Sequence, residues 1–150
     1  MTDSAALTPA EVAEQVRRMV AGEGVVFADL FAVDGVLEYP FALPGQPPRL
    51  VGREAIRGYF ANASAARALF RMDTVTSTVL RTDDPDVVIT QIEHAGTSAM
   101  TGQPYRFHAL GIIRVRDGQI VHYQDYMDPI ATARLLGRTR DLADAITANP

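Results

Sequence analysis

Four stretches of this chain, 70–80, 87–97, 104–116 and 119–127, alternate apolar and polar residues and are separated by "TDDPD", "TGQP" and "DG". Alternation with period two is the signature of a half-buried strand, and Asp, Pro and Gly at these spacings are hairpin chemistry. The four segments therefore predict an antiparallel meander. A meander with one apolar face must cover that face with something else, and the segments before it supply the cover. "TPAEVAEQVRRMVAGEG" carries a capping Thr8, Pro9 at the first helical position and Glu11 three residues after the cap, which is a capping-box pattern. Val12, Val16, Met19 and Val20 then fall on one helical face, and Gly22 is a natural stop. A second short helix is expected over "VVFADLF" with Phe27, Leu30 and Phe31 inward. "DG" at 34–35 punctuates, and "VLEY" reads as a short strand ended by Pro40.

"PFALPGQPPRL" holds four prolines and a glycine and reads as a surface loop. "GREAIRGYFANAS" is expected to be a helix with Ile56, Tyr59, Phe60 and Ala63 on one stripe. After the meander, "DPIATARLLG" starts a short helix that Asp128 can cap, and 138–150 reads as a polar, Ala-rich, frayed tail. The order α-α-β-α-β-β-β-β gives one α+β domain over residues 1–150, its ordered core at about 8–137. A long mostly antiparallel sheet under a small helical layer curls into a cone whose mouth suits a ligand.

Composition narrows the function classes. The net charge is −4 and all fourteen basic residues are arginines, scattered along the chain, so no broad nucleic-acid footprint is expected. The absence of cysteine removes disulfides and thiolate chemistry and fits a cytoplasmic protein. The N-terminus lacks a signal-peptide pattern, and no apolar run reaches the roughly 20 residues of a membrane span. The three histidines, 94, 108 and 122, have no ligand-like spacing, so no metal is expected. Nothing resembles a phosphate loop or dinucleotide fingerprint, and no cofactor is expected.

The candidate chemistry lies on the last strand, "VHYQDYMDP". Alternation puts Val121, Tyr123, Asp125 and Met127 on one face and His122, Gln124, Tyr126 and Asp128 on the other. An acid among apolar residues suits a pocket wall, where desolvation raises its pKa toward the range of proton transfer. The structural alternative is an Asp125 paired with an arginine or capping a backbone. A hairpin centred on Asp117–Gly118 would set His108 against Met127 and so within reach of Asp125. Arg106 shares His108's face and could clamp a ligand carboxylate. His94 shares a face with Thr90 and Ile92 and is a candidate ligand contact, as are Tyr123, Tyr59, Met127 and Phe27. Tyr39 ends the first strand at the mouth, where its hydroxyl could reach a substrate oxygen. His122 falls on the opposite face, expected to be a dimer surface.

Three stretches, "LFAVDGVLEYPFALPGQPPRLVGREAIRGYF", "TGQPYRFHALGIIRVRDGQIVHYQDYMDP" and "IATARLLG", resemble the nuclear transport factor 2-like superfamily in its SnoaL-like branch. The resemblance extends to the small dimeric phenazine-biosynthesis proteins. It implies a cone-shaped, curved, mostly antiparallel sheet wrapped by N-terminal helices, a cystatin-like α+β barrel, and a homodimer through the sheet. It also implies that Asp125 stands where the phenazine relatives carry an acid/base glutamate and limonene-type epoxide hydrolases a water-activating aspartate. His108 matches a histidine of the penultimate strand, and Tyr59 replaces a helix-borne histidine. The ketosteroid isomerase pattern does not transfer: Tyr39–Pro40, Gln15 and Gly111 stand where its base, tyrosine and second aspartate would be.

Two readings of function follow. In the first, the chain is a cofactor-independent acid/base enzyme, of isomerase, cyclase or dehydratase type, on a small apolar organic substrate. Asp125 is the acid/base, and His108 and Tyr39 polarise the substrate. Epoxide hydrolysis ranks lower, because "QIEHA" lacks the arginine–x–aspartate pair expected on 87–97. In the second, it is a non-catalytic small-molecule binder or interaction module. A pocket sealed by side chains, or a carboxylate locked to an arginine, would favour the second; an unpaired carboxylate in a deep apolar pocket would favour the first.

Overall fold

The computed structural model describes residues 5–62 and 67–148. Its elements run α1 (Pro9–Val20), a 3₁₀ turn (Phe27–Leu30), β1 (Phe31–Glu38), β2 (Arg49–Val51), α2 (Arg53–Asn62), β3 (Phe70–Arg81), β4 (Val87–Ser98), β5 (Pro104–Arg116), β6 (Gln119–Met127), α3 (Pro129–Leu135) and α4 (Thr139–Ala148). The strands form one sheet in the order β2-β1-β6-β5-β4-β3. Every neighbouring pair is antiparallel except β1 with β6. The sheet is curved and open: β2 and β3 are its free edges, and helices rather than further strands cover the inner face. This is the expected curled α+β architecture without barrel closure.

The meander lies where the turn residues place it. Asp117 (φ 52°) and Gly118 (φ 75°) take the left-handed backbone that matches a tight hairpin to strand twist. Thr8 accepts the Glu11 N–H at 3.2 Å, which starts α1. Val12, Ala13 and Val16 then bury fully against β3, β4 and β5. Each buried valine contributes about 1.5–3 kcal/mol. They join Phe27, Phe31, Leu37, Ile56, Ile113 and Ile120 in one core under the sheet.

Four segments differ from expectation. The second helix reduces to a 3₁₀ turn, and Phe31 instead heads β1. Asp34–Gly35 lies inside β1, where the pairing with β6 is interrupted between Phe31 and Val36. An irregular strand does not show clean alternation, so its first half escapes pattern reading. The proline-rich loop contains β2, whose three residues pair with β1, and the Tyr39 N–H donates to the Pro48 carbonyl at 2.8 Å to close it. The expected tail forms α4, with Arg138 donating to the Pro44 carbonyl at 2.8 Å. Leu142, Ala145 and Ile146 give α4 an apolar stripe. Ala63 of the expected α2 stripe lies outside the described residues. No described helix is long and apolar enough to cross a membrane.

Candidate active site

One extra residue in β6 decides which side chains meet. Val115 pairs with Ile120, but Arg114 pairs with His122, so Val121 has no partner and forms a bulge. Beyond the bulge the register moves by one, so the β5 residues opposite Tyr123, Asp125 and Met127 are the odd-numbered ones rather than His108 and its face. Ala109, not His108, faces Met127, and Gly111 faces Asp125. His108 and Arg106 therefore project from the outer face. There Glu93 bridges Arg106 at 3.4 Å and His108 at 3.5 Å. The expectation that His108 shares a face with Asp125 is corrected by this bulge, and Arg106 moves with it. His122 is also outside, hydrogen-bonded to Glu38 at 2.9 Å.

On the inner face, the register aligns Val79, Thr90, Gly111 and Asp125 in one row across β3, β4, β5 and β6. The parallel pairing of Glu38 with Gln124 brings the next residue, Tyr39, alongside Asp125. Gly111 makes room in that row. A Cβ there would lie 2.8 Å from the Tyr123 hydroxyl and 3.0 Å from two ring carbons, so the hydroxyl end of the Tyr123 ring lies against the glycine. Tyr59 on α2 approaches Tyr39 with ring centroids 6.3 Å apart, and Phe27 meets Tyr123 edge-on at 5.6 Å. Met127 packs against the core one row away. Asp125 thus sits on the inner face beside a packed cluster of Tyr39, Tyr123, Tyr59, Phe27 and Met127, and neither the groove on the outer face nor the groove at the start of β5 reaches it.

The electrostatics follow from this burial. The Asp125 side chain has no hydrogen bond or ion pair with any described residue. The residue is half-buried, and desolvation pushes its carboxyl up to about 7. Both protonation states are therefore populated near neutral pH. The Tyr39 and Tyr123 hydroxyls are pushed well above the usual phenol range, first by burial and then by the Asp125 charge. They remain protonated and available as donors.

His94 is inward and buried, but four residues from Thr90 along β4, roughly 13 Å at about 3.3 Å per residue. It stacks on Phe107 at 4.8 Å and Phe70 at 5.8 Å and shares a hydrogen bond with the Tyr105 hydroxyl at 3.1 Å. Burial lowers its pKa to about 4, so it is neutral at pH 7. The structure does not bring it to Asp125. Thr90 and Gly111 were not singled out for this site by sequence. Alternation already placed Thr90 inward, and its hydroxyl is fully buried without a partner among the described residues. Among the described residues no three His, Asp or Glu side chains converge as a metal site.

A model of the SnoaL-like domain matches residues 12–123. The chain belongs to the SnoaL-like family. Over 111 residues, 74% of each chain, it is 32% identical to the uncharacterised protein YesE of Bacillus subtilis (strain 168). It is also 32% identical over 125 residues to an uncharacterised PhzA/B-like protein of Pseudomonas aeruginosa, covering 81% of this chain and 84% of that one. Among solved structures, a Bacillus subtilis protein provisionally described as an isomerase superposes with a TM-score of 0.72 at 29% identity, over 89% of this chain and 98% of that one. The resemblance carried by the three quoted stretches is thereby borne out at the level of family and fold.

Proposed function

We propose that this SnoaL-like chain is a cofactor-independent enzyme that moves protons on a small apolar organic substrate bound against the inner face of the sheet. The observation that carries the reading is Asp125: a half-buried carboxyl with no cationic partner among the described residues, pushed up to about 7 by desolvation, beside two protonated tyrosines. As carboxylate it removes a proton from a carbon next to a carbonyl. The developing enolate oxygen accepts hydrogen bonds from the Tyr39 and Tyr123 hydroxyls. The protonated Asp125 then returns the proton to another carbon, which is isomerisation, or to a departing β-hydroxyl, which leaves as water. If the enolate carbon attacks a second carbonyl of the same molecule, the new alkoxide takes the proton and a ring closes. General acid/base catalysis of this kind contributes about 10²–10⁴-fold, and oriented donors at the oxyanion add to it.

His108 has no part in this scheme, because it is bridged to Glu93 on the outer face; Tyr123 takes the orienting role. The homodimer belongs to the same proposal and would use the outer face. Its support is the exposed Phe41 packed edge-on against Tyr126 at 5.4 Å, on the rim of a groove of about 550 Å³.

Carboxyl NMR titration of Asp125, with Asp125→Asn to assign the signal, tests the reading. A midpoint near 7 supports it. A midpoint at or below 4 means a paired or solvated group, and the non-catalytic binder becomes the better account.

A further inference from the structure

A second groove, of about 600 Å³, lies between the start of β5, the β4–β5 turn and the α3–α4 segment. Tyr105, Phe107, Met100 and Leu135 supply its apolar walls, and Arg106 and Arg134 its charge. The chain carries more acidic than basic residues, yet among the described residues no Asp or Glu lines this groove. The outer-face groove, by contrast, includes Glu93 and Asp128. The two arginines are not equivalent. Arg106 lies 3.4 Å from Glu93 and shares its charge. Arg134, in the last turn of α3, has a side chain with no hydrogen bond or ion pair among the described residues.

The aromatic wall is fixed from behind. Tyr105 is held through its hydroxyl by His94 at 3.1 Å, and its ring packs edge-on against Phe70 at 5.6 Å. Phe107 is buried and stacked on the same histidine. A rigid aromatic face prefers a flat partner. A guanidinium with open donors prefers a carboxylate, which it can grip with two parallel N–H···O bonds. With one unshared cation and a largely apolar lining, the groove fits a monoanion rather than a phosphate. The site is separate from Asp125: Phe107 is four residues from Gly111 along β5, roughly 13 Å at about 3.3 Å per residue.

We infer that this groove binds a small planar carboxylic acid, its carboxylate on Arg134 and its ring against Tyr105 and Phe107. The site is independent of the Asp125 chemistry.

Calorimetric titration of the full chain with 2-naphthoate tests this, with 2-naphthalenemethanol as the uncharged comparator. Naphthoate is expected to bind more tightly than the alcohol. Arg134→Gln, at an exposed position, is expected to weaken naphthoate about 10- to 100-fold, the range for losing hydrogen bonds to a charged group. It should leave the alcohol unchanged. Tyr105→Leu weakens both ligands, and Asp125→Asn weakens neither. The proposal is overturned if naphthoate shows no preference over the alcohol, or if Arg134→Gln leaves its affinity unchanged. It is equally overturned if Asp125→Asn rather than Arg134→Gln removes binding, which would move the ligand to the inner wall. A failure of acid/base function at Asp125 would leave the expected pattern intact.

Discussion

On the outer face of the sheet, Glu93 lies within ion-pair distance of Arg106 and His108, Glu38 of His122, and Asp84 of Arg114. On the inner face, Asp125 has no such partner among the described residues. The pKa directions separate accordingly. Glu38 is held below the usual carboxylate range, chiefly by its bond to His122. Asp84 is also held low, first by the Asp86 backbone N–H and then by Arg114. Asp125 rises to about 7. The same residue class, on opposite faces of one sheet, is held charged where a cation or a backbone donor meets it and is made proton-seeking where burial is not offset by one. The outer face spends its carboxylates on ordinary surface pairing, and the inner one keeps a carboxyl ready to exchange a proton.

The largest expected effect comes from removing that carboxyl. Between pH 4 and 7 the unfolded chain has released the Asp125 proton while the folded chain keeps it. Stability from this group therefore falls as pH rises through that window, by about 4 kcal/mol at 1.36 kcal/mol per pKa unit. His94 does the opposite. Its folded pKa of about 4 lies below the usual imidazole value of about 6.5, so the unfolded chain holds the extra proton and stability rises with pH from 4 to 6.5, by about 3 kcal/mol. The two slopes nearly cancel in the native chain. Asp125→Asn should expose the rising His94 slope, and His94→Phe the falling Asp125 slope. Urea unfolding at half-unit steps from pH 4 to 8 reads both. Parallel profiles for the native chain and Asp125→Asn would mean that Asp125 is solvated, and the contrast between the faces would lose its basis.

Next in size is the space that the inner row leaves open. Gly111→Ala puts a methyl group 2.8 Å from the Tyr123 hydroxyl. Overpacking of this kind costs about 1–3 kcal/mol. The cost should shrink in a Tyr123→Leu background, and the difference measures the contact directly. Equal costs in both backgrounds would mean that Tyr123 is not what holds this position to glycine. The partnerless Thr90 hydroxyl predicts a smaller change of opposite sign. A buried hydroxyl without a bond carries a desolvation penalty of about 1–3 kcal/mol, so Thr90→Val should raise the urea midpoint. A loss of stability would show that the hydroxyl is satisfied in solution.

The meander, its turns and the inward Tyr123, Asp125 and Met127 of β6 were legible in sequence because each rests on local chemistry: period-two alternation, Asp–Gly at a hairpin, Asp128 capping α3; Val121, expected with them, is instead the bulge. The bulge at Val121 was not legible. Nothing in "QIVHY" marks which residue is extruded, since the preference arises from how β6 fits Arg114 and Val115 across the strand. That single residue moved His108 from the expected wall to the outer face. β2 escaped for a related reason. Three residues cannot display a period, and they are extended only because β1 offers an edge to pair with. Family resemblance reached Asp125 directly, since it compares positions rather than faces. It named Thr90 no more than the residues alone did.

The smallest expected effect tests the outer half of the comparison. Glu93 sits between Arg106 and His108 at 3.4 and 3.5 Å, with 37% of its side chain exposed and those of its partners at 68% and 64%. Exposed pairs of this kind give about 0.2–1 kcal/mol and are screened by salt. Glu93→Gln should therefore cost less than about 1 kcal/mol at low ionic strength, and about half of that in 0.5 M NaCl. The test is thermal unfolding at the two salt concentrations. A loss above about 2 kcal/mol that salt leaves unchanged would place Glu93 in a desolvated network. The outer face would then also hold a buried charge, distinguished from Asp125 only by having found its cations.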